Sequence, residues 1–571
     1  MRLFVRQGWC HPEKYANSSG WAFNILHTSS FVPALRSNLL QPKRKTAGKS
    51  ISASIRQPLI FRTGIIQSIF RHPSRLYLSP LYFIYFCRMD IVCSSTEQLL
   101  LETLASISAS LKMEAYLIGG FVRDKILQRP TKDMDIVCIG DGIELAEQFA
   151  GTFQPAPSVS IFKNFGTAQV KLSNTQLPEL NEAEYFEVEF VGARKESYSA
   201  HSRKPHISSG TVEDDQKRRD FTVNALAISL NRKNFGELID PFGGIGDLKA
   251  KILRTPLEPD QTFIDDPLRI MRGIRFAAQL GFSIHEETLA SISRNAHRMK
   301  IVSGERIADE LNKILLTEKP SIGFDLLYKT GILQEIFPQM VALSGAEYID
   351  GMGHKDNFHH TLQVIDNLAM QSDDLWLRWA AVLHDIAKPA TKKFEEGHGW
   401  TFHGHEVVGG RMVPKIFAQL KLPQNEKMRF VRKMVEMHLR PISLTKEDIT
   451  DSAIRRLIFD AGEDLESLMM LCRADITSKN RQKVKRYLEN FELVEQRCKE
   501  VEEKDHIRNW QPPVTGEMIM EKFNLPPSRA VGEIKNAIRE AILDGLIPNE
   551  FEAAWEFMLK TAGELGIRAA V

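Results

Sequence analysis

The sequence predicts an α+β protein, in which a head with a mixed sheet and packed helices is followed by all-helical domains. The apolar segment 115–118 and the alternating segment 185–191 are typical of strands and predict the sheet. After residue 241, apolar residues recur mainly at helical spacing, which predicts that the remainder is helical. At about 150 residues per domain, the 571 residues leave room for three or four domains.

We divide the chain into five parts. An N-terminal extension (1–88) precedes the head (89–240), which is followed by a neck (241–345), a second helical domain (346–480) and a helical tail (481–571). The extension is expected to be disordered or absent from the mature protein.

The extension differs from the rest of the chain in charge. It holds 13 lysine or arginine residues and one acid, Glu13, so that the remaining chain carries a net charge of about −10. Such a composition is typical of an organellar transit peptide. A translation start at Met89 is the favoured interpretation, because the first helical pattern (95–111) begins just after it; a binding arm is the third alternative. The acidic main body excludes a globally basic nucleic-acid coat, so RNA contacts must use local basic stripes.

The composition excludes further classes of protein. Six cysteines without a CxxC pair exclude a disulfide scaffold and a zinc ribbon, and they indicate a reducing compartment. We therefore expect a cytoplasmic protein, with organellar targeting by the extension as the alternative. No segment approaches the roughly 18 to 20 apolar residues of a membrane span, since the nearest, 76–87, is too short and contains Ser79 and Pro80.

The first motif of the head predicts a strand, a tight turn and a helix. The turn falls at Gly119-Gly120, and the free backbone N–H groups at the start of the helix can bind a phosphate. Arg123 lies one turn into that helix. A tight turn without further function is the alternative for this motif alone.

Two aspartates open the next predicted strand. Alternation along a strand places Asp133 and Asp135 on one face. Such a pair suits two Mg²⁺ ions about 3.5 to 4 Å apart, which activate an attacking oxygen and clamp a triphosphate. A later strand offers a third carboxylate, Glu187 or Glu189. Two solvated acids at a strand edge are the alternative for the pair alone.

A third motif, DQKRRDFTVNALA, begins at Asp215. In it Arg218 and Arg219 precede an expected helix, and a forked guanidinium suits phosphate oxygens. The combination of GGxVRD, DxD and RRDFTxNA resembles the class II tRNA nucleotidyltransferase and poly(A) polymerase family of the polymerase β superfamily. The resemblance implies a small polymerase β-type nucleotidyltransferase head.

The resemblance also implies roles for residues of the head. Asp133 and Asp135 would bind magnesium, and Glu189 is favoured over Glu187 as the third catalytic carboxylate. The residues expected to contact the incoming nucleotide and its triphosphate are Gly119, Gly120, Arg123 and Arg219.

The neck begins with a glycine-rich joint at residues 241–248, which can absorb backbone rotation and resembles the hinge motif of the family. A plain linker is the alternative. A helix start is predicted at Pro267, after two acids.

A ridge of polar residues follows on this helix, because four charged residues recur every three positions. These residues, which we assign to nucleotide binding, are Asp266, Arg269, Arg272 and Arg275. A carboxylate accepts a hydrogen bond from the exocyclic amine of C or A, whereas U and G would leave it unpaired at a cost of about 1 to 3 kcal/mol. The family motif is EDxxR, which begins here with Asp265, and we assign selection of C and A to Asp266 and Arg269. A solvated face is the alternative.

Histidines and aspartates accumulate beyond residue 340. Neutral imidazoles and carboxylates from several helices can bind one or two metal ions that activate water for attack on phosphorus. Their order resembles the HD phosphohydrolase superfamily, whose domains follow the nucleotidyltransferase core in some bacterial members of the family. The resemblance implies His360, His384, Asp385 and Asp475 as metal ligands, with His405 and His438 for a second ion of unspecified identity.

We therefore predict a template-independent enzyme that joins the RNA 3′-hydroxyl to the α-phosphorus of CTP or ATP and adds or repairs the 3′ CCA end of tRNA. CC-adding, A-adding and poly(A)-adding enzymes share every motif and stay as alternatives, as do an HD phosphohydrolase with a nucleotide- or RNA-binding head and a non-catalytic tRNA-binding protein. The HD domain is expected to hydrolyse a phosphoester such as a 2′,3′-cyclic phosphate. No membrane or protein partner is implied.

The tail opens with a basic cluster that can contact an RNA backbone. It consists of Arg481, Lys483, Lys485 and Arg486. A solvated helix face is the favoured alternative.

Overall fold

The computed structural model describes residues 90–568, apart from gaps at 132, 164–165, 182–183, 198–205, 350–351, 354, 445–449, 479, 506–507 and 509. The predictions for the N-terminal extension and for Met89 therefore lie outside the described residues. A search of the described part of the chain finds no helix with the length and hydropathy of a membrane span.

The head contains the predicted mixed sheet. Its strands are β1 (Glu114–Ile118), β2 (Asp133–Ile139), β3 (Val159–Phe162), β4 (Thr167–Leu172), β5 (Phe186–Gly192), β6 (Arg194–Ser197), β7 (His206–Ser209), β8 (Ala227–Ser229) and β9 (Leu238–Ile239). Seven of them form one sheet in the order β3-β4-β5-β2-β1-β8-β9, and β6 pairs with β7 as a separate hairpin. Only β2 and β5 are parallel among the neighbours of the large sheet, so their N-terminal ends lie side by side.

The helices of the head are α1 (Ser95–Ser110), α2 (Gly120–Ile126), α3 (Gly142–Ala150), α4 (Val212–Lys217) and α5 (Gly244–Ala250). Helices α1, α2, α3 and α5 pack on one face of the sheet, whereas Val212 of α4 packs against the apolar cluster on the other face. The N-terminus of α1 is fixed by a capping box, in which the side chains of Ser94 and Glu97 each accept a backbone N–H of the other. Alternation along β2 points Met134, Ile136 and Cys138 into the core beneath these helices.

One predicted element of the head is wrong. The residues after Asp220 do not form a helix: Thr222–Asn224 make a short 3₁₀ turn, and the chain then enters β8, which pairs with β1. Phe221, Val223 and Leu226 are fully buried. Periodicity cannot separate a helix from a strand in a short apolar run that is buried on all sides.

The neck is helical, apart from two short strands that pair in parallel. Its elements are β10 (Ile252–Leu253), α6 (Pro259–Asp265), α7 (Leu268–Leu280), β11 (Ser283–Ile284), α8 (Glu286–Arg294), α9 (Gly304–Leu315), α10 (Pro320–Lys329), α11 (Ile332–Ile336) and α12 (Pro338–Val341). Helix α7 begins directly after Pro267, as predicted. Met271 and Ile274 of α7 pack into the core of the neck, whereas Phe276 packs into that of the head. The helix is thereby fixed to both.

The chain after the neck is also mainly helical. Its first elements are β12 (Tyr348–Ile349), β13 (Met352–Gly353), α13 (Asn357–Ala369), α14 (Leu375–Leu383), α15 (Lys388–Thr391), β14 (Lys393–Glu395), β15 (Gly399–Thr401), α16 (His405–Gln419), α17 (Glu426–Met437), α18 (Leu439–Ser443), α19 (Asp451–Ala461) and α20 (Leu465–Asp475). The tail contains α21 (Arg481–Asp505), α22 (Gly516–Phe523), α23 (Arg529–Leu543) and α24 (Phe551–Glu564). The last three helices enclose a small core of their own.

The neck and the second helical domain share one apolar core, which extends from Phe263 to Val501. Arg378 of α14 reinforces this junction. Its guanidinium is almost completely buried and donates hydrogen bonds to the backbone carbonyls of Leu315 and Thr317, at 2.8 and 3.0 Å. These carbonyls lie at the C-terminal end of α9, where helix carbonyls have no partner within the helix.

Candidate active site and metal centre

Carboxylates from two adjacent parallel strands meet at the start of β2. The register pairs Asp133 with Glu187 and Asp135 with Glu189. Burial raises the pKa of Asp135 to about 6; attraction by Arg219 opposes this rise, and repulsion from Glu189 and Asp133 adds to it. The pKa of Glu189 is also raised, by burial and by Asp133. An acidic cluster with this much mutual repulsion fits hard divalent cations, whose oxygen ligands are carboxylates.

The two glutamates of β5 differ in their partners. Glu187 is engaged away from the cluster, because Lys171 Nζ lies 2.7 Å from its Oε1 and Gln169 Nε2 donates to its Oε2 at 2.8 Å. Glu189 lies opposite Asp135 in the register and interacts electrostatically with Asp133. The geometry therefore favours Glu189 as the third carboxylate.

Gly119 brings the backbone close to this acidic cluster. Its φ is +85°, and a Cβ at this position would lie 2.8 Å from Asp135 Oδ2 and 2.7 Å from Arg219 Nη1. Both the backbone conformation and the close approach require glycine. Gly120 then begins α2, so the glycine pair lies directly beside Asp135 and Arg219.

Asp215, on α4, fixes two arginines next to the cluster. Its fully buried carboxylate accepts from Arg218 Nε at 2.9 Å and from Arg219 Nε at 3.1 Å. Burial opposes its charge, but Arg219 and Arg218 hold the pKa of Asp215 below its usual value. The sequence analysis gave Asp215 no role, although its i, i+3 and i+4 spacing to the two arginines signals such a contact.

Arg123 points into the head instead of presenting a free guanidinium. It is 5% exposed, donates to both carboxylate oxygens of Asp124 at 2.9 and 2.7 Å, and donates to Asn224 Oδ1 at 2.6 Å. Its guanidinium also lies 5.0 Å from the centre of the Phe276 ring. In this conformation Arg123 joins α2 to the RRDFTxNA motif and to α7.

The polar ridge of α7 is present but contacts protein. Arg272 Nε donates to Asp220 Oδ2 at 2.7 Å, and this contact holds the pKa of Asp220 far below its usual value despite burial. Arg269 Nη2 donates to the backbone carbonyl of Arg218 at 2.5 Å. Arg275 Nε donates to Glu310 at 2.7 Å.

The burial of two ridge residues excludes one of the two interpretations for them, and nucleotide binding by the ridge stays a prediction. Arg269 and Arg275 are buried, so the solvated face is wrong for them. Asp266 stands at the start of α7, where its Oδ1 accepts the N–H of Leu268 at 3.1 Å. The ridge thus connects the neck to the arginine motif of the head.

The six predicted HD ligands converge on one centre, with Asp385 in the middle. On one side, Asp385 Oδ2 lies 3.5 Å from His360 Nε2 and 3.2 Å from His384 Nε2. On the other side, Asp385 Oδ1 lies 3.2 Å from His405 Nε2 and 3.8 Å from His438 Nε2. The HD centre thus contains two groups that could hold a metal ion, and Asp385 belongs to both.

Asp475 completes the first group, because its Oδ1 lies 2.9 Å from His360 Nε2 and 3.6 Å from His384 Nε2. Burial opposes the charges of both aspartates, yet the neighbouring imidazoles keep their pKa values low. Burial and the nearby His384 lower the pKa of His438 to about 4, so this imidazole is neutral.

Backbone carbonyls orient three of the histidines. Nδ1 of His384, His405 and His438 each lies 2.7 to 2.8 Å from the carbonyl three residues earlier. A ring that donates from Nδ1 keeps its Nε2 lone pair free for a metal. His384 Nε2 is buried and has no well-directed hydrogen-bond partner, which fits a ligand atom. The donor set of imidazoles and carboxylates fits divalent metal ions.

Thr477 was missed by the sequence analysis. Its Oγ1 lies 2.8 Å from His360 Nδ1, so a hydroxyl orients this fourth histidine. Lys388 Nζ contacts Asp385 Oδ2 at 2.5 Å, so a cation lies against the central aspartate. His359 lies outside the centre, with a largely exposed ring next to Asp356.

Three segments match described families. Residues 115–254 match the Poly A polymerase head domain, residues 281–343 match the Probable RNA and SrmB- binding site of polymerase A, and residues 357–479 match the HD domain. Head and HD domains of these kinds generally use divalent metal ions, and the two candidate groups of the HD centre agree with this.

Relatives and solved structures extend this likeness. The Multifunctional CCA protein of Shewanella frigidimarina is 31% identical over 379 residues, which cover 64% of this chain and 84% of that protein. The Thermotoga maritima CCA-adding enzyme complexed with tRNA shares 21% identity and the fold, with a TM-score of 0.52 over 82% of this chain and 96% of that chain. A CCA-adding enzyme in complex with ATP shares 22% identity, with a TM-score of 0.55 over 83% of this chain and 96% of that chain. The chain belongs to the class II tRNA nucleotidyltransferase and poly(A) polymerase family, and it carries an HD domain after its head and neck.

Proposed function

We propose that this protein is a CTP/ATP:tRNA nucleotidyltransferase that adds or repairs the 3′ CCA end of tRNA. The observation that carries the proposal is the acidic cluster of Asp133, Asp135 and Glu189 on two parallel strands, with Arg219 beside it. The relative from Shewanella frigidimarina is a CCA protein, and folds of the same kind have been solved with tRNA, ATP and CTP.

The cluster suits magnesium, and Asp133, Asp135 and Glu189 would hold it. When bound, the ions activate the RNA 3′-hydroxyl and neutralise the triphosphate. Arg219, held by Asp215, donates to triphosphate oxygens. The bond from the 3′-oxygen to the α-phosphorus forms as the bond from the α-phosphorus to the leaving pyrophosphate breaks.

Asp266 and Arg269 would select the base. Asp266 accepts from the exocyclic amine of C or A, and Arg269 donates to the adjacent ring nitrogen. Arg269 now donates to the Arg218 carbonyl, so binding of a base must exchange one acceptor for another. Selection is thereby tied to the segment that carries the triphosphate arginine.

The HD centre supports a second activity, hydrolysis of a phosphoester. The observation that favours it is the position of Asp385 between two histidine groups, together with the orphaned His384 Nε2. Metal ions at this centre would lower the pKa of a water for attack on phosphorus. The P–O bond to the leaving ribose oxygen breaks, and that oxygen takes up a proton.

The test uses purified protein, magnesium and a tRNA transcript lacking its last three nucleotides. Labelled CTP alone should give two additions, and CTP with ATP should give CCA and then a stop. Addition of CC only would identify a CC-adding enzyme, and an open-ended A tail would identify a poly(A)-adding enzyme. No extension by folded protein would contradict the polymerase proposal and leave the HD centre as the catalyst.

A further inference from the structure

The HD domain carries a positively charged surface, although the main body of the chain has a net charge of about −10. Residues 405–440, which form α16, α17 and the start of α18, contain eight lysine or arginine residues and three acids. None of these eight residues belongs to the candidate metal groups. A local excess of positive charge in an acidic protein indicates an anionic partner.

Four of these cations are exposed, and none of the four forms an ion pair with a described carboxylate. They are Arg411 and Lys415 of α16, Lys421, which follows this helix, and Arg429 of α17. We call these four residues the basic face. Arg411 and Lys415 are one helical turn apart, so they lie on the same side of α16. Because no acid neutralises the four charges, they are available to an anion.

The exposed sides of α16 and α17 adjoin each other and form one surface. The helices pack closely at Gly410, where a Cβ would meet the side chain of Glu436. Arg429 precedes Glu436 by seven positions, or two helical turns, and therefore lies on the same side of α17. Arg411 follows Gly410 directly. The charges from the two helices thus lie on a common surface.

The basic face extends to the neck, of which residues 281–343 match an RNA-binding family. Gln419, at the end of α16, accepts from Gln339 Nε2 at 2.6 Å and donates to the carbonyl of Ile336 at 3.3 Å. Lys421 covers the N-terminus of α9, since a Cβ at Gly304 would lie 2.6 Å from Lys421 Cγ. The positive charge therefore continues from the matched segment of the neck onto the HD domain.

The side chains around these cations favour a sugar-phosphate backbone as the anion. The exposed side chains of α16 next to Arg411 and Lys415 include Val407 and Ala418, which are aliphatic and small. Unpaired bases are bound by aromatic side chains on which they stack, and membranes are bound by large apolar side chains that insert into the lipid. Cations without either feature are typical of contacts to the phosphates of a duplex.

We infer that the basic face binds the sugar-phosphate backbone of the tRNA during nucleotide addition. The inference rests on the proposed function, which supplies the tRNA. It gives the HD domain a second role, in RNA binding, that needs no metal ion and no phosphohydrolase activity.

The test measures binding of a tRNA transcript that lacks its last three nucleotides to the full-length protein in EDTA, by fluorescence anisotropy. Lys415→Gln/Arg429→Gln removes one charge from each helix. We expect this double variant to raise the Kd about 30-fold at about 0.1 M salt and to lower the slope of log Kd against log salt by about two. Lys415→Arg/Arg429→Lys keeps both charges and should bind like the wild type.

The matched control is Lys112→Gln/Lys233→Gln, which changes the net charge by the same amount. Both lysines are exposed and have no ion pair within the described residues. They lie near the end of β1 that begins at Glu114, whereas the other end, at Ile118, pairs with Asp135 of the acidic cluster. The control should therefore bind tRNA like the wild type. Equal losses in the two glutamine variants, or no loss in Lys415→Gln/Arg429→Gln, would overturn the inference.

Kinetics separate the inference from the function on which it rests. Lys415→Gln/Arg429→Gln should raise the KM for tRNA about 30-fold and leave kcat and the KM for CTP unchanged, because a backbone contact is equally strong in the ground state and the transition state. An unchanged KM for tRNA, while the wild type extends tRNA, overturns the inference alone. A wild type that neither binds nor extends tRNA contradicts the proposed function as well.

Discussion

The charged carboxylate of Asp135 lowers the free energy of unfolding of the metal-free head. A substitution that removes this charge should therefore raise the stability of the head. The pKa of Asp135 in the folded protein is about 6, against an ordinary value of 3.8. At 1.36 kcal/mol per pKa unit, the charged carboxylate costs the folded state about 3 kcal/mol at pH 8 as an upper limit. Because the folded pKa is raised, this cost is absent well below pH 3.8, grows between pH 3.8 and about 6, and is fully present above that value.

Asp135→Asn removes this charge and keeps the shape of the side chain. In EDTA at pH 8, we expect the head of the variant to be more stable than that of the wild type by about 2 to 3 kcal/mol, and at pH 4 by only about 0.5 kcal/mol. Magnesium should stabilise the wild type at pH 8, since a ligand that binds only the folded state raises its stability, and should have little effect on the variant. Incorporation of CTP should be lost.

The assay is urea unfolding followed by tryptophan fluorescence and circular dichroism, at both pH values, with EDTA or magnesium. Glu187→Gln is the matched control, because this neighbouring carboxylate forms a half-exposed pair with Lys171 and its loss should cost less than about 1 kcal/mol. An Asn variant that is no more stable than the wild type at pH 8, or is equally stabilised by magnesium, would refute the reasoning about this acidic cluster.

Three further changes test the two centres. Glu189→Gln should lower kcat for CTP incorporation about 100-fold or more, and Glu187→Gln by less than about threefold, in single-turnover extension of tRNA; the reverse order would exchange the roles of the two glutamates. Asp215→Asn should raise the KM for CTP about tenfold, because Arg219 loses its charged anchor, and an unchanged KM in steady-state kinetics would contradict this. His384→Ala should abolish cleavage of bis(4-nitrophenyl) phosphate and leave CTP incorporation intact, whereas loss of both would show that the substitution unfolds the chain.

Much of the fold could be predicted from the sequence because its patterns are local. Alternation placed Asp133 and Asp135 on one face of β2, and the structure has this strand begin at Asp133. The HD ligands were found from their order in a family, since residues as distant as His360 and Asp475 share no local pattern. The helix expected after Asp220 is absent. A short apolar run that is buried on all sides shows neither helical nor strand periodicity, so the sequence could not distinguish the two.

Other features depend on partners far apart in the chain. Arg123 turns inward because Asn224, 101 positions away, accepts a hydrogen bond from its guanidinium, and Arg272 is held by Asp220, 52 positions away. A charge pattern on one helix cannot say whether such a partner exists. Thr477 was missed for the same reason, because its contact with His360 crosses 117 positions.

The core shared by the neck and the second helical domain restricts how this protein can change over evolution. Deleting the HD domain would expose apolar side chains of α9 and α10 to solvent. It would also remove the hydrogen bonds that Arg378 donates to the carbonyls of Leu315 and Thr317. A lineage that no longer needs the phosphohydrolase can therefore inactivate it by replacing a single ligand such as His384. Loss of the whole domain would also require polar substitutions at the apolar positions of the neck that the domain now buries. Inactive HD domains should accordingly persist as scaffolds, with eroded metal ligands and intact packing.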